Sequence, residues 1–269
     1  MVTSGWIKST DEVLVIFSLL VLYIYSVFGF FSKKSSVSVK DFDLCHGVDE
    51  FTSRHFDPRL PAIIRSGASN WPLFEKWDKN YIINQFGSYQ CKIVRDSRPA
   101  FSRETQSLKD YFERFEGKST LTLEKYAPAK QKLFLKDIEL PNQLFKKSDI
   151  HRFFFFHSVK DAGTLPHVHR DAFNILQSGV KHWIFYDAHE RDAPKGFREL
   201  QQCRLQYGPG NHMKDWYNKE FSQLPKRVEK VYTCTQNAGD IVYIPHQFSH
   251  AVLNKSEVMG LVVEVNSRK

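Results

Sequence analysis

The chain has 269 residues, 42% hydrophobic and 14% aromatic, with 23 Phe. That composition excludes a disordered chain and supplies enough apolar mass for a sizeable core. The formal charge of +8 is spread over single residues and Lys pairs rather than gathered in a stripe, which argues against a nucleic-acid partner. Four Cys (Cys45, Cys91, Cys203, Cys234) stand far apart with no C-x-x-C and no zinc-finger spacing, so they define no metal site and do not settle the redox compartment.

Taken in chain order, the first feature is Val13–Phe31, "VLVIFSLLVLYIYSVFGFF", 19 residues without a charge. As a helix it spans about 28 Å, close to the hydrocarbon thickness of a bilayer. A cleaved signal peptide has a shorter apolar region and a small-residue cleavage site; "FGFFSKK" is not one. The expectation is a single-pass anchor in residues 1–34, a polar linker in 35–49 and a folded domain in 50–269. The flanking lysines (Lys8 before; Lys33, Lys34 and Lys40 after) favour a cytoplasmic domain by the positive-inside rule. The sequon "NKS" at Asn254 argues for the lumenal side.

"PRLPAIIR" (58–65) predicts a short strand, and "GASNWP" a turn. "FEKWDKNYIINQFG" predicts a helix capped by Gly87. "SLKDYFERF" (107–115) predicts a second helix, with Ser107 as N-cap and Asp110 at the capping-box position. From about residue 150 the texture changes. "HRFFFFHS" reads as a core strand whose Phe run is packing. "AFNILQS" and "VKHWIFYD" flank Gly179, and "VEKVYTCTQ", "DIVYIP", "HAVLN" and "MGLVVEVN" follow as short strands. Many short strands separated by turn residues predict a mostly β, jelly-roll fold. Residues 191–225 break the rhythm as a long, partly helical insertion of the kind that covers or lines a site.

"TLPHVHRDAFN" places His167, His169 and Asp171 at i, i+2 and i+4. In an extended strand these side chains share one face. Imidazole is the commonest metal ligand, and "GDIVYIPHQFSHAVLN" supplies His250 on a later strand, with His246 in the turn before it. A histidine pair alone is a weak signal, because most of the 11 His serve as core or surface side chains.

On these residues the chain resembles the Jumonji-C (JmjC), or cupin-8, family. Thr164, His167, Gly179, Lys181 and Trp183 fit its T-x-x-H and G-x-K-x-W segments. Gly239, Asp240, Pro245, His250, Val252 and Asn254 fit its second half. "LPAIIRSGASNWPLFEKW" and "LFLKDIELP" resemble the segments that lead into the core, so the resemblance covers about residues 50–266. It implies a double-stranded β-helix (cupin jelly roll) preceded by N-terminal helices and the transmembrane helix. It further implies a protein-hydroxylase type of oxygenase using Fe(II) and 2-oxoglutarate and acting on a protein substrate. His167 and His250 would be the iron histidines, Lys181 the cation for the distal carboxylate of 2-oxoglutarate, and Thr164 and Asn174 further contacts to it.

The departure lies at position 169, where most active members carry Asp or Glu. An H-x-H pattern with Gly179 twelve residues beyond His167 resembles a subgroup of small JmjC proteins whose better-known animal members reside in the endoplasmic reticulum lumen. Two ligand sets follow: His167, His169 and His250, or a set in which Asp171 supplies the carboxylate in the frame His169–Arg170–Asp171. Two functions follow as well: a 2-oxoglutarate/Fe(II)-dependent dioxygenase, or a catalytically inactive JmjC-like protein that acts by metal binding or protein interaction. A zinc or manganese sugar isomerase fits less well, having no use for Lys181. The membrane expectation has a direct test: after alkaline carbonate extraction the protein should stay in the membrane pellet, and release into the supernatant would refute a spanning Val13–Phe31.

Overall fold

The structure is a computed structural model that describes residues 35–43, 47–95, 104–114, 119–124, 136–139, 144, 149–190, 193, 212–246 and 248–266. The expected span Val13–Phe31, Cys45, Cys203 and residues 194–211 of the insertion lie outside them. Among the described residues no helix is long and apolar enough to cross a membrane.

The chain enters through strands β1 (Ser35–Ser38) and β2 (Lys40–Asp41), helix α1 (Gly47–Phe51) and a π-helical turn at Thr52–Phe56, then β3 (Ala62–Ile64). The predicted helix over 74–87 is two helices, α2 (Pro72–Lys76) and α3 (Lys79–Phe86). Asp78 causes the break. Its backbone is extended and its carboxylate accepts the Tyr81 N–H at 2.7 Å, which makes it an N-cap in mid-segment. Gly87 does follow α3, but in right-handed conformation at φ −55°, without the left-handed turn that favours glycine. Strands β4 (Gln90–Arg95) and β5 (Glu104–Ser107) lead to α4 (Leu108–Glu113), where Ser107 caps as expected, its hydroxyl accepting the Asp110 N–H at 3.0 Å. Strand β6 (Ser119–Glu124) follows.

Eight strands then build the core: β7 (Ile150–Ser158), β8 (Gly163–His167), β9 (Ala172–Ser178), β10 (Val180–Asp187), β11 (Lys230–Asn237), β12 (Ile241–Ile244), β13 (Phe248–Asn254) and β14 (Val258–Val265). One sheet runs β2-β3-β12-β9-β14-β7-β6-β4-β5 and the other β1-β11-β10-β13-β8. Apart from the β10–β11 pair, successive core strands alternate between the sheets, and all core pairings are antiparallel. This is the expected double-stranded β-helix, or jelly roll, in a mostly β chain.

The period of two splits the Phe run. Phe153 and Phe155 are buried in an outer aromatic cluster with Trp77 and Phe86 from the N-terminal helices, each burial stabilising by roughly 1.5–3 kcal/mol. Phe154 and Phe156 line a cavity on the other face, so the run is more than packing. The described part of the insertion is α5 (His212–Glu220), a 3₁₀ turn and α6 (Leu224–Arg227). Met213, Trp216 and Leu224 pack with Leu165, Ile184, Tyr186 and Leu253. These helices therefore cover a sheet, and none of their residues lines that cavity.

Two sequence signals take on structural roles. Asp240 accepts the Ser66 and Asn237 N–H groups and pairs with Arg65 at 2.8 Å, tying the β11–β12 turn to the segment after β3. Asn254 is 2% exposed and its Nδ2 donates to Ser158 Oγ and the Val159 carbonyl. In the folded protein the amide of the sequon's Asn is therefore engaged inside the domain.

Gly179 (φ +87°) is the single residue between β9 in one sheet and β10 in the other, and a Cβ there would lie 2.1 Å from the Glu257 carbonyl oxygen. Gly179→Ala should lower stability by about 1–3 kcal/mol or more, read as a drop in the urea midpoint.

Candidate metal centre

The site begins with a register shift. On β13, His250 faces His167 of β8 and Val252 faces Thr164, so two residues of one strand oppose three of the other. The extra residue is a β-bulge. It lets Thr164 and His167, three apart in sequence, both line the cavity, which strict alternation forbids. Pro166 sits within it, and β8 is the last strand of its sheet, a place where a missing N–H is tolerated. The His167 and His250 rings come to 4.1 Å between centroids.

His169 does not extend the strand as expected. β8 ends at His167, and His169 reaches back from the following loop, its ring 5.4 Å from His167 and 4.6 Å from His250. One ring nitrogen from each of the three lies within 4.8 Å of the others. Every Nδ1 faces a backbone carbonyl: Leu165 for His167 (2.9 Å), Arg170 for His169 (2.6 Å) and Phe248 for His250 (3.2 Å). A carbonyl only accepts, so each Nδ1 carries the proton and each Nε2 keeps its lone pair. Burial lowers all three pKa values, that of His167 to about 4, and the neighbouring imidazoles lower those of His167 and His250 further. Three neutral imidazoles with tautomers held by backbone acceptors fit a first-row divalent ion.

Asp171, the alternative ligand, is not in this cluster. It is buried, and its Oδ1 accepts from the Tyr243 hydroxyl (2.9 Å) and the His246 N–H (2.8 Å). His246 in turn donates from Nδ1 to the His169 carbonyl at 2.9 Å. Both residues tether the loop that carries His169, and the frame through Asp171 is not formed.

The histidines open onto a cavity of about 450 Å³ also lined by Thr164, Asn174 and Lys181. Lys181 is 7% exposed. Its ammonium lies 3.5 Å from the Phe156 ring centroid and 5.8 Å from that of Trp183, and no carboxylate among the described residues pairs with it. Burial brings its pKa down to about 7. Asn174 is buried with an unpartnered Oδ1. Sequence reasoning missed a further pair in the lining. Glu264, 3% exposed, accepts both Arg152 Nε (3.0 Å) and Arg152 Nη2 (2.6 Å). The two residues face each other across β7 and β14, and only that pairing reveals them. Cys91 and Cys234 are buried thiols with pKa pushed up to about 12 by burial, and neither lines the cavity.

These features place the chain in a known class. It belongs to the cupin-like domain family, whose profile matches residues 48–267. Among characterised relatives it is 21% identical to the arginine-specific demethylase JMJ22 of Arabidopsis thaliana over 82% of this chain and 45% of that protein. It is 24% identical to the bifunctional arginine demethylase and lysyl-hydroxylase psr-1 of Caenorhabditis briggsae, over 81% of this chain and 58% of the relative. The Caenorhabditis elegans protein of the same description is also 24% identical, over 80% and 57%. The chain thus spans about half the length of the curated relatives it matches.

If Asp171 tethers the His169 loop, Asp171→Ala should leave the Tyr243 hydroxyl and the His246 N–H unpaired, at a cost of about 1–3 kcal/mol. Hydrogen exchange should then speed up at residues 168–171 while the amides of β9 and β14 stay protected. Unchanged exchange in the loop would show that the tether is unimportant.

Proposed function

We propose that the protein is an Fe(II)/2-oxoglutarate-dependent oxygenase of the protein-hydroxylase type. The observation that carries this reading is the presence, in one cavity, of three neutral imidazoles and a buried lysine with no acidic partner among the described residues. His167, His169 and His250 would hold the metal through Nε2. Bound there with 2-oxoglutarate, Fe(II) supplies the activation of O₂ that hydroxylation requires. Lys181 would hold the distal carboxylate of the cosubstrate as a point charge, which in turn would give the lysine the counter-ion it lacks. Phe156 and Trp183 keep water from its ammonium, and that low-dielectric setting strengthens the pair. Thr164 and Asn174 offer a hydroxyl and an amide to the same ligand.

The names of the relatives, arginine demethylase and lysyl-hydroxylase, support a protein side chain as the substrate class. A second reading has its own support: the donor set holds no carboxylate, because Asp171 is engaged by Tyr243 and His246. A metal held only by neutral ligands would suit a non-catalytic domain that acts through metal or partner binding. Attachment to a membrane, in the endoplasmic reticulum, rests on Val13–Phe31 and on the H-x-H resemblance alone.

Anaerobic Fe(II) titration followed by a 2-oxoglutarate turnover assay separates the readings. Stoichiometric metal binding with turnover supports the oxygenase, and metal binding without turnover supports the second reading. His250→Ala should abolish metal binding. Lys181→Met should leave metal binding intact and weaken 2-oxoglutarate by about 1.5–3 kcal/mol. It should also stabilise the unliganded protein at pH 7, because it removes a buried cation. If the wild type binds no 2-oxoglutarate in the presence of Fe(II) or Mn(II), the cosubstrate assignment fails.

A further inference from the structure

A second cavity, of about 620 Å³, shares no lining residue with the first. Its volume lies in the range of small-molecule sites. Leu60, Pro61 and Tyr232 give it apolar wall, and Lys40, Arg54 and Lys230 bring three cations to it against one carboxylate, Asp41. That carboxylate accepts from Arg65 Nε at 3.0 Å. Arg54 has an exposed helical partner in Glu50 at 2.9 Å, whereas Lys40 and Lys230 have no ion pair among the described residues.

In the lining between these charges sits His55. It is 4% exposed, and its ring is stacked on Phe51 and set edge-on to Phe42. Its Nδ1 is buried without a hydrogen-bond partner. Such an atom is costly in a folded protein and calls for an explanation, a bound ligand among them. Burial lowers the His55 pKa, the Leu60 and Pro61 backbone works against it, and the nearby charges of Arg54 and Lys40 lower it further.

We propose that this cavity binds a small amphiphilic phosphate monoester. The phosphate lies among Lys40, Arg54 and His55, and the apolar portion against Leu60, Pro61 and Tyr232. The choice of phosphate follows from the donors. A lysine on β2 and an arginine and an imidazole side by side on the turn Thr52–Phe56 suit a tetrahedral group with several acceptor oxygens. A phosphate monoester near its second pKa also carries a hydroxyl part of the time, so it can both donate and accept and can satisfy Nδ1 in either tautomer. A carboxylate can only accept. The same head group occurs on a phospholipid such as a phosphatidate and on soluble metabolites. The site is independent of the histidine cluster and does not rest on the oxygenase reading.

The test is calorimetric titration of the full chain in a neutral detergent with two probes, dihexanoyl phosphatidic acid and phenyl phosphate, and with dihexanoyl glycerol as the uncharged control. At least one phosphate probe should bind and the control should not; tighter phosphatidate points to a lipid source and tighter phenyl phosphate to a soluble one. Lys40→Glu, at an exposed position, should weaken binding at least tenfold. His55→Phe keeps the ring contacts and removes Nδ1, and should also weaken it. Lys181→Met should leave it unchanged, which separates this site from the first cavity. The proposal is overturned if neither phosphate probe binds, if the control binds equally well, or if Lys40→Glu and His55→Phe leave binding unchanged, whatever Lys181→Met does.

Discussion

The site depends on a mismatch of step between two paired strands. Three residues of β8 span the distance that two residues of β13 span, so Thr164 and His167 turn to one face and His167 meets His250 directly. A slip of one residue would send a strand's whole set of side chains to the opposite face. With the register set, the third histidine has no strand left to occupy, since β8 ends at His167. Its position is governed instead by a chain of polar contacts, in which Asp171 holds Tyr243 and His246, and His246 holds the His169 carbonyl. The carboxylate that resembles a ligand in the sequence thus helps place the histidine that stands where a ligand carboxylate is expected.

The cavity places polar groups where they do not favour stability. Lys181 is buried against aromatic rings, Asn174 keeps an unmade hydrogen bond, and three imidazoles crowd within contact of one another. Polar burial of this kind lowers stability unless each group finds a partner. The compensation lies elsewhere in the fold, in the aromatic cluster beneath the N-terminal helices and in the apolar layer under α5. The polar groups therefore stand on strands whose outer faces are fixed by packing, which keeps them close to a binding geometry before any ligand arrives.

Membership of the cupin-like family defines a scaffold, and one scaffold can serve several chemistries according to its donors. Here the donors differ in charge from a two-histidine, one-carboxylate set. His169 contributes a neutral nitrogen, and the cavity's carboxylate, Glu264, is held by Arg152. A metal in this position would keep its full positive charge, and anionic ligands such as a 2-oxo acid would supply the neutralisation.

From the sequence alone, the alternation of short strands, the caps at Ser107 and Gly179's place between two strands were sufficient to describe a mostly β jelly roll with helices before it. The histidines 167, 169 and 250 and the lysine 181 were also legible, because residue type and spacing carry them. What the sequence left open was which of His169 and Asp171 joins the cluster, since both occupy positions of suitable spacing. Hydrogen bonds from Tyr243 and His246, more than 70 residues away, decided it. The same holds for the inward half of the Phe run, the burial of the Asn254 sequon and the Arg152–Glu264 pair. Each depends on which strands lie side by side, and local periodicity specifies the faces of a strand without naming its neighbour. Tertiary pairing supplied that neighbour, and with it the partners, burial and charge of every group in the site.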